Sequence, residues 1–187
     1  LVDFQVMANR TFDSSHNITN QNIYTYDEVG MTTLLDIQEI RSTGYTTSGV
    51  AANQIIATYA PPVGLNAPEL IDVKVVTNSD IDSRGNVGTS VTTKYGVSAT
   101  AAGDDDLIID FSSPIDEQVT VSTGFDVFGN ASNQTIYKRW YDTRLVNGQA
   151  AGWTILESQE VENSGFDIYN QMHASIVKTY SNATCAF

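Results

Sequence analysis

The chain has 187 residues and a mass of 20.3 kDa, enough for one packed domain or a tight array of small units. Nine Lys plus Arg stand against 22 Asp plus Glu, and the formal charge of −13 argues against nucleic acid or an anionic membrane as a partner. No apolar run reaches the ~18 residues of a membrane-spanning helix, and with only 17% charged residues the polar surface falls to Thr, Ser, Asn and Gln, the balance of an exported β-rich protein.

Taken in chain order, one arrangement of residue types recurs five times, at intervals of 33 to 44 positions. The first runs from Val2-Asp3-Phe4-Gln5-Val6-Met7 through Phe12-Asp13-Ser14-Ser15-His16-Asn17 to Ile23-Tyr24-Thr25-Tyr26. The second runs from Leu35-Asp36-Ile37-Gln38-Glu39-Ile40 through Tyr45-Thr46-Thr47-Ser48-Gly49 to Ile55-Ile56-Ala57-Thr58-Tyr59. In the third, Ile71-Asp72-Val73-Lys74-Val75 leads to Asp82-Ser83-Arg84-Gly85-Asn86 and closes at Tyr95. In the fourth, Ile115-Asp116-Glu117-Gln118-Val119 leads to Phe125-Asp126-Val127-Phe128-Gly129-Asn130 and closes at Arg139. The fifth is the most diverged, with Leu156-Glu157, then Phe166-Asp167-Ile168-Tyr169-Asn170, then a run closing at Tyr180. From Asn17, Val50, Asn86, Asn130 and Gln171 to the closing residue the span is nine residues in every copy.

Each copy reads as a β-hairpin, two β-branched, Thr-rich runs around a turn. Asp at the first turn position caps its own backbone, and Gly, Asn or His three residues on tolerates a positive φ, so the pattern predicts a type I turn with a left-handed closing residue in a three-residue loop. Alternation places Leu35, Ile37, Ile71, Val73 and Val75 on a buried face and Asp36, Gln38, Asp72 and Lys74 outside. The connection at 96–114 carries a further predicted strand at Leu107–Phe111, and Pro61, Pro62 and Pro68 exclude helix from the one before it. A lone hairpin is marginal in water, so the expected fold is all-β, with five diverged hairpins (approximately 1–34, 35–70, 71–114, 115–155 and 156–187) packed as a β-sandwich or short β-solenoid in a single domain.

Phe125-Asp126-Val127-Phe128-Gly129-Asn130 and Tyr24-Thr25-Tyr26-Asp27 resemble the Tyr-Asp and Rhs-type hairpin repeats that occur in tandem in large bacterial surface proteins. The resemblance spans most of the chain and implies a secreted structural repeat with no catalytic residue to carry over. The Gly-Arg pair common in that family is absent here, so the closed shell of the Rhs proteins is not part of the expectation.

Enzymatic constellations are scarce. His16 stands where sister copies have Gly or Asn, a backbone position, and neither it nor His173 has the spaced ligands of a zinc site. Calcium is the candidate ion, through Asp80, Asp82, Asp104, Asp105 and Asp106, although Arg84 occupies a ligand position of the EF-hand-like start at Asp80. Asn9, Asn17, Asn130, Asn133 and Asn182 fit the glycosylation acceptor pattern. Trp140, Tyr141 and Trp153 are candidates for a sugar platform, though such residues more often serve a core. Cys185 is the lone cysteine, so no internal disulfide forms.

An array of hairpins ends in open strand edges. The expectation is therefore a non-enzymatic extracellular or cell-surface structural protein whose partner is itself, polymerising head to tail by pairing of a terminal strand, with Val2, Phe4 and Val6 on the pairing segment. The alternative is an adhesive or glycan-binding domain of a larger surface protein, with glycans as partners. Neither reading calls for a cofactor beyond calcium.

Overall fold

The computed structural model describes residues 3–27, 30–64, 66–96, 111, 113–143, 152–167 and 171–181. Ten strands are present, and no helix occurs among the described residues. In order they are β1 (Phe4–Phe12), β2 (Ile18–Tyr26), β3 (Leu34–Tyr45), β4 (Ala51–Ala60), β5 (Glu69–Ile81), β6 (Val87–Tyr95), β7 (Pro114–Phe125), β8 (Ala131–Asp142), β9 (Gly152–Ser164) and β10 (Ala174–Ser181). They form one open sheet in sequence order, each strand beside the next. Within each hairpin a short loop returns the chain alongside the strand it has just left, which accounts for every second pairing of this order.

The all-β expectation is met. The pairing gives one open sheet in strand order, which establishes neither the expected sandwich nor the expected solenoid. Alternation identifies which side chains share a face but carries no information on whether a second layer covers that face. The predicted strand at Leu107–Phe111 lies, apart from Phe111, outside the described residues. Phe111 packs edge-on against Tyr95, with ring centroids 5.3 Å apart.

By packing, the chain divides into two compact units. The first holds β1 to β4, apart from the turn at 46–50, together with the start of β5 and residues 94–113; the second holds that turn, residues 77–93 and everything from Pro114 onward.

In the first unit, one face carries Phe4, Val6 and Ala8 of β1, opposite Tyr26, Tyr24 and Asn22 of β2. Next on that face come Ile37, Glu39 and Arg41 of β3 and then Tyr59, Ala57 and Ile55 of β4. Glu39, only 5% exposed, lies in the middle of it. Its carboxylate accepts hydrogen bonds from Asn20 Nδ2 (2.8 Å), Arg41 Nε (3.0 Å), Tyr59 Oη (3.3 Å) and Arg10 Nη1 (3.4 Å). A buried carboxylate is tolerable only when partnered in this way. On the opposite face Gln54 donates to Ser42 at 3.1 Å and Thr25 to Asp36 at 3.2 Å.

The second unit repeats these devices. Gln134 donates to Ser122 at 3.1 Å, and the buried Glu117 accepts from Thr93 at 3.2 Å and pairs with Arg139. Ser158, 0% exposed, lies between Tyr137 on β8 and Tyr180 on β10, a small residue covered by two large neighbours. Tyr180 donates to Glu160, twenty residues earlier, as Tyr59 does to Glu39.

Cover at Glu39 and Ser158 is thus lateral, and among the described residues more of the buried ones are polar than apolar. Among the described residues the buried apolar set is Ala51, Ala57 and Val73, against Thr25, Glu39, Ser42, Thr93, Glu117, Ser122 and Ser158. Of the residues assigned to a buried face, Val73 is buried and Ile37 and Val75 are half-buried, whereas Leu35 and Ile71 are exposed. Leu35 faces outward because the β2–β3 register slips there, Thr25 pairing with Asp36 and Tyr26 with Leu34, which leaves Leu35 without an opposite number.

Glu39→Ala strips four donors of their acceptor. Because Arg10 and Arg41 retain some access to water, the expected loss is about 2–3 kcal/mol, and Glu39→Gln should lose about half of that. Urea unfolding of the two variants beside the parent checks the order.

Candidate assembly edges and turn row

The turns set the register of the sheet. Asp13, Thr46, Asp82 and Asp126 each donate their N–H to the carbonyl four residues on, at 2.9–3.0 Å, and accept at their own carbonyl from the N–H three residues on, at 3.0–3.2 Å. That third residue is His16, Gly49, Gly85 or Gly129, with φ between 65° and 92°. These are the predicted three-residue loops, and His16 has the predicted backbone role. In the fifth, Asp167 donates to the Gln171 carbonyl at 3.1 Å, while residues 168–170 lie outside the described set.

Three of these turns carry an Asp–Asn clamp. The Oδ1 atoms of Asp13, Asp82 and Asp126 accept the N–H groups two and four residues on, and their Oδ2 atoms accept Nδ2 of Asn17, Asn86 and Asn130 at 2.8–2.9 Å. Hydrogen bonds to the ionised form hold all three carboxyls below the ordinary range: the Asn17 side chain contributes most at Asp13, the Asn130 side chain most at Asp126, and the Asn86 N–H and then its side chain at Asp82, which falls to about 2.

Within the second unit the turns at 46–50, 82–86 and 126–130 lie side by side. A Cβ at Gly85 would stand 3.0 Å from Val50 Cγ2, and one at Gly129 would stand 2.7 Å from Asn86 Oδ1. Arg84 Nη1 donates to the Asp126 carbonyl at 2.6 Å. These two glycines therefore serve both the left-handed φ and the approach of the neighbouring turn, whereas Gly49, with nothing within 4 Å, serves φ alone.

A second left-handed residue precedes most turns by two positions: Gly44, Asp80, Gly124 and Gly165, with φ from 53° to 69°. The turn pattern read from the sequence omits it, although glycine before an aromatic residue is visible in Gly44-Tyr45, Gly124-Phe125 and Gly165-Phe166. At Asp80 the roles are reversed, for Asp80 takes the positive φ and the glycine is Gly88 on the facing strand.

The structure does not bring the calcium candidates together as far as it describes them. Asp80 accepts from Thr89 at 3.0 Å and from Ser79 at 3.4 Å, Asp82 is taken up by its clamp, and Asp104, Asp105 and Asp106 lie outside the described residues. No group of three or more His, Cys, Asp or Glu that could hold a metal occurs among the described residues. Of the glycosylation candidates, Asn9 is exposed on β1 and accepts from Gln21, Asn133 is exposed on β8, Asn17 and Asn130 already donate Nδ2 to their clamps, and Asn182 is outside the described set, as is Cys185. Tyr141 and Trp153 meet edge to face at 5.2 Å, with the Arg139 guanidinium 5.9 Å from the Trp153 ring, while Trp140 points to the other face, opposite Thr154.

The outer strands of the sheet are β1 and β10. Phe4 and Val6 are half-buried on one face of β1 and Met7 is exposed on the other; Val2 lies outside the described residues. β10 is exposed along nearly its whole length, with Ile176 and Val177 presented to opposite sides. Neither strand contains Pro, and each has one charged residue, already engaged: Arg10 by Glu39, and Lys178 by Glu162 at 3.1 Å and Glu160 at 3.8 Å. Phe4–Asn9 therefore carries none of the Pro or charge that usually protects an open edge, and β10 carries Lys178 alone, ion-paired to Glu162 and Glu160.

No family model matches this chain, and no curated protein or solved structure is significantly similar to it.

Two outcomes are expected. Gly49→Ala should cost about 1 kcal/mol for its φ alone, and Gly129→Ala about 2 kcal/mol because its methyl group also meets Asn86; melting temperatures give the order. The Asp82 carboxyl titrates at 3.8 when unperturbed and at about 2 in the fold, so its stabilisation is complete above 3.8 and is lost as pH falls through about 2. Asp82→Asn should therefore show a flatter decline in melting temperature than the parent between pH 4 and pH 2.

Proposed function

We propose that this chain is a non-enzymatic structural protein of the cell exterior, made of five diverged copies of one hairpin, that assembles with itself through its terminal strands. The observation that carries the reading is that β1 and β10 are the outer strands of one open sheet whose neighbouring strands follow the chain order. An outer strand with no Pro, a single ion-paired charge and an apolar flank is a template for another strand. The resemblance to tandem Tyr-Asp and Rhs-type surface repeats supports the same reading, as does the recurrence of the Asp–Asn clamp and of the Tyr-to-Glu bond twenty residues back. The strong negative charge suits an exposed, soluble subunit and disfavours nucleic acid as a partner.

A second reading, an adhesive or glycan-binding domain, is favoured by the Tyr141–Trp153 pair beside Arg139. Negative-stain electron microscopy separates the two. Deleting residues 1–8 is expected to abolish filaments while leaving a soluble β-fold, and filaments of unchanged length from the truncated chain would refute the assembly reading. Monomers of the parent chain that bind sugars would favour the second.

A further inference from the structure

Two junctions between successive hairpins, β2–β3 and β8–β9, are paired in the same way. Asn20, Gln21, Asn22, Ile23, Tyr24 and Thr25 face Arg41, Ile40, Glu39, Gln38, Ile37 and Asp36. Asn133, Gln134, Thr135, Ile136, Tyr137 and Lys138 face Glu162, Val161, Glu160, Gln159, Ser158 and Glu157. Counted from the turns, the two sets coincide: Asn22 and Thr135 each lie five residues after the end of one turn, at Asn17 and Asn130, and their partners Glu39 and Glu160 each lie seven before the start of the next, at Thr46 and Asp167. The slip coincides as well, since Tyr26 pairs with Leu34 and Arg139 with Ile155, leaving Leu35 and Leu156 unpaired at the same place. Leu35 and Leu156, together with Ile71 and Ile115 at the same count before their own turns, are 45–54% exposed.

The junction also has a chemical signature. The last pair before the slip is a donor facing a carboxylate, Thr25 Oγ1 to Asp36 at 3.2 Å in one and Lys138 Nζ to Glu157 at 2.9 Å in the other. Applied to the open edges, the same counts start from Gln171 on β10 and from Asp13 on β1. They set Ile176 opposite Val6, Val177 opposite Gln5, Lys178 opposite Phe4 and Thr179 opposite Asp3. The first is an apolar pair, and the last is again a hydroxyl donor facing a carboxylate.

We infer that β10 of one molecule binds β1 of a second copy of this chain in the register of the internal junctions, with Ile176 against Val6 and Thr179 against Asp3. This rests on the assembly reading above and specifies its geometry. The occupant is a second copy because the two edges complete the junction that the sheet contains twice, down to the donor–carboxylate pair. A slip of one residue would turn every side chain to the wrong face, so the register is a sharp property.

In a Cys185→Ser background, the double variants Val6→Cys with Ile176→Cys and Gln5→Cys with Val177→Cys place thiols on facing residues, one pair on each side of the sheet. Val6→Cys with Val177→Cys places them on opposite sides. Under mild oxidation at least one matched variant should form a ladder of disulfide-linked oligomers about tenfold faster than the slipped one, since only facing residues bring Cβ atoms within bonding range. Equal rates for matched and slipped variants, or no ladder from either matched variant while the parent still forms filaments, overturns the register and leaves self-assembly standing. A parent chain that remains monomeric at all concentrations overturns both.

Discussion

The constraint that most shapes the described residues is that the buried positions which can be traced, Glu39 and Ser158, are covered from the neighbouring strands. In a two-layer protein the inner face of a sheet is roofed by apolar side chains from above, and polar groups are driven outward. Here the side chains lie across the strands. Ser158 is covered by Tyr137 and Tyr180, and Glu39 is enclosed by Arg10, Asn20, Arg41 and Tyr59. Long amphipathic side chains suit this role, because their stems shield a neighbour while their polar ends find partners in the same plane. This accounts for a buried set richer in Ser, Thr and Glu than in Leu or Ile.

Such a sheet places a heavy demand on register. The turns help to meet it, the carboxylate of Asp13, Asp82 or Asp126 gathering two backbone N–H groups and one side-chain amide into a single small loop. A left-handed residue, glycine in three of four cases, stands two positions before the turns at Thr46, Asp82, Asp126 and Asp167. Between turns, cross-strand matches such as Gln54 with Ser42 and Gln134 with Ser122 keep the strands in step.

What was legible in the sequence follows from how local each signal is. The loops could be read because Asp, Gly and the spacing between them are a complete chemical specification within five residues. The strands could be read from their β-branched and Thr-rich runs. The number of layers could not, because alternation in Ile71, Val73 and Val75 is the same whether a second sheet is present or the neighbouring strands supply the cover. Leu35 and Ile71 share the alternation of the inward set and are exposed. The bond from Tyr59 to Glu39 and from Tyr180 to Glu160 was within reach of the sequence, since Gln38-Glu39-Ile40 and Gln159-Glu160-Val161 stand at equal distances from their tyrosines. It was obscured by Glu117, which reaches its partner Arg139 from two positions earlier in its strand.

The consecutive strand order has a mechanical consequence. Each strand is hydrogen-bonded to the strands before and after it in the chain, so tension applied through the two ends reaches an outermost strand and loads its ladder one bond at a time, like a zip. Such a sheet lengthens in hairpin-sized steps at low force, and each released segment keeps the turn that joins its two strands, with which to close again when the load is removed.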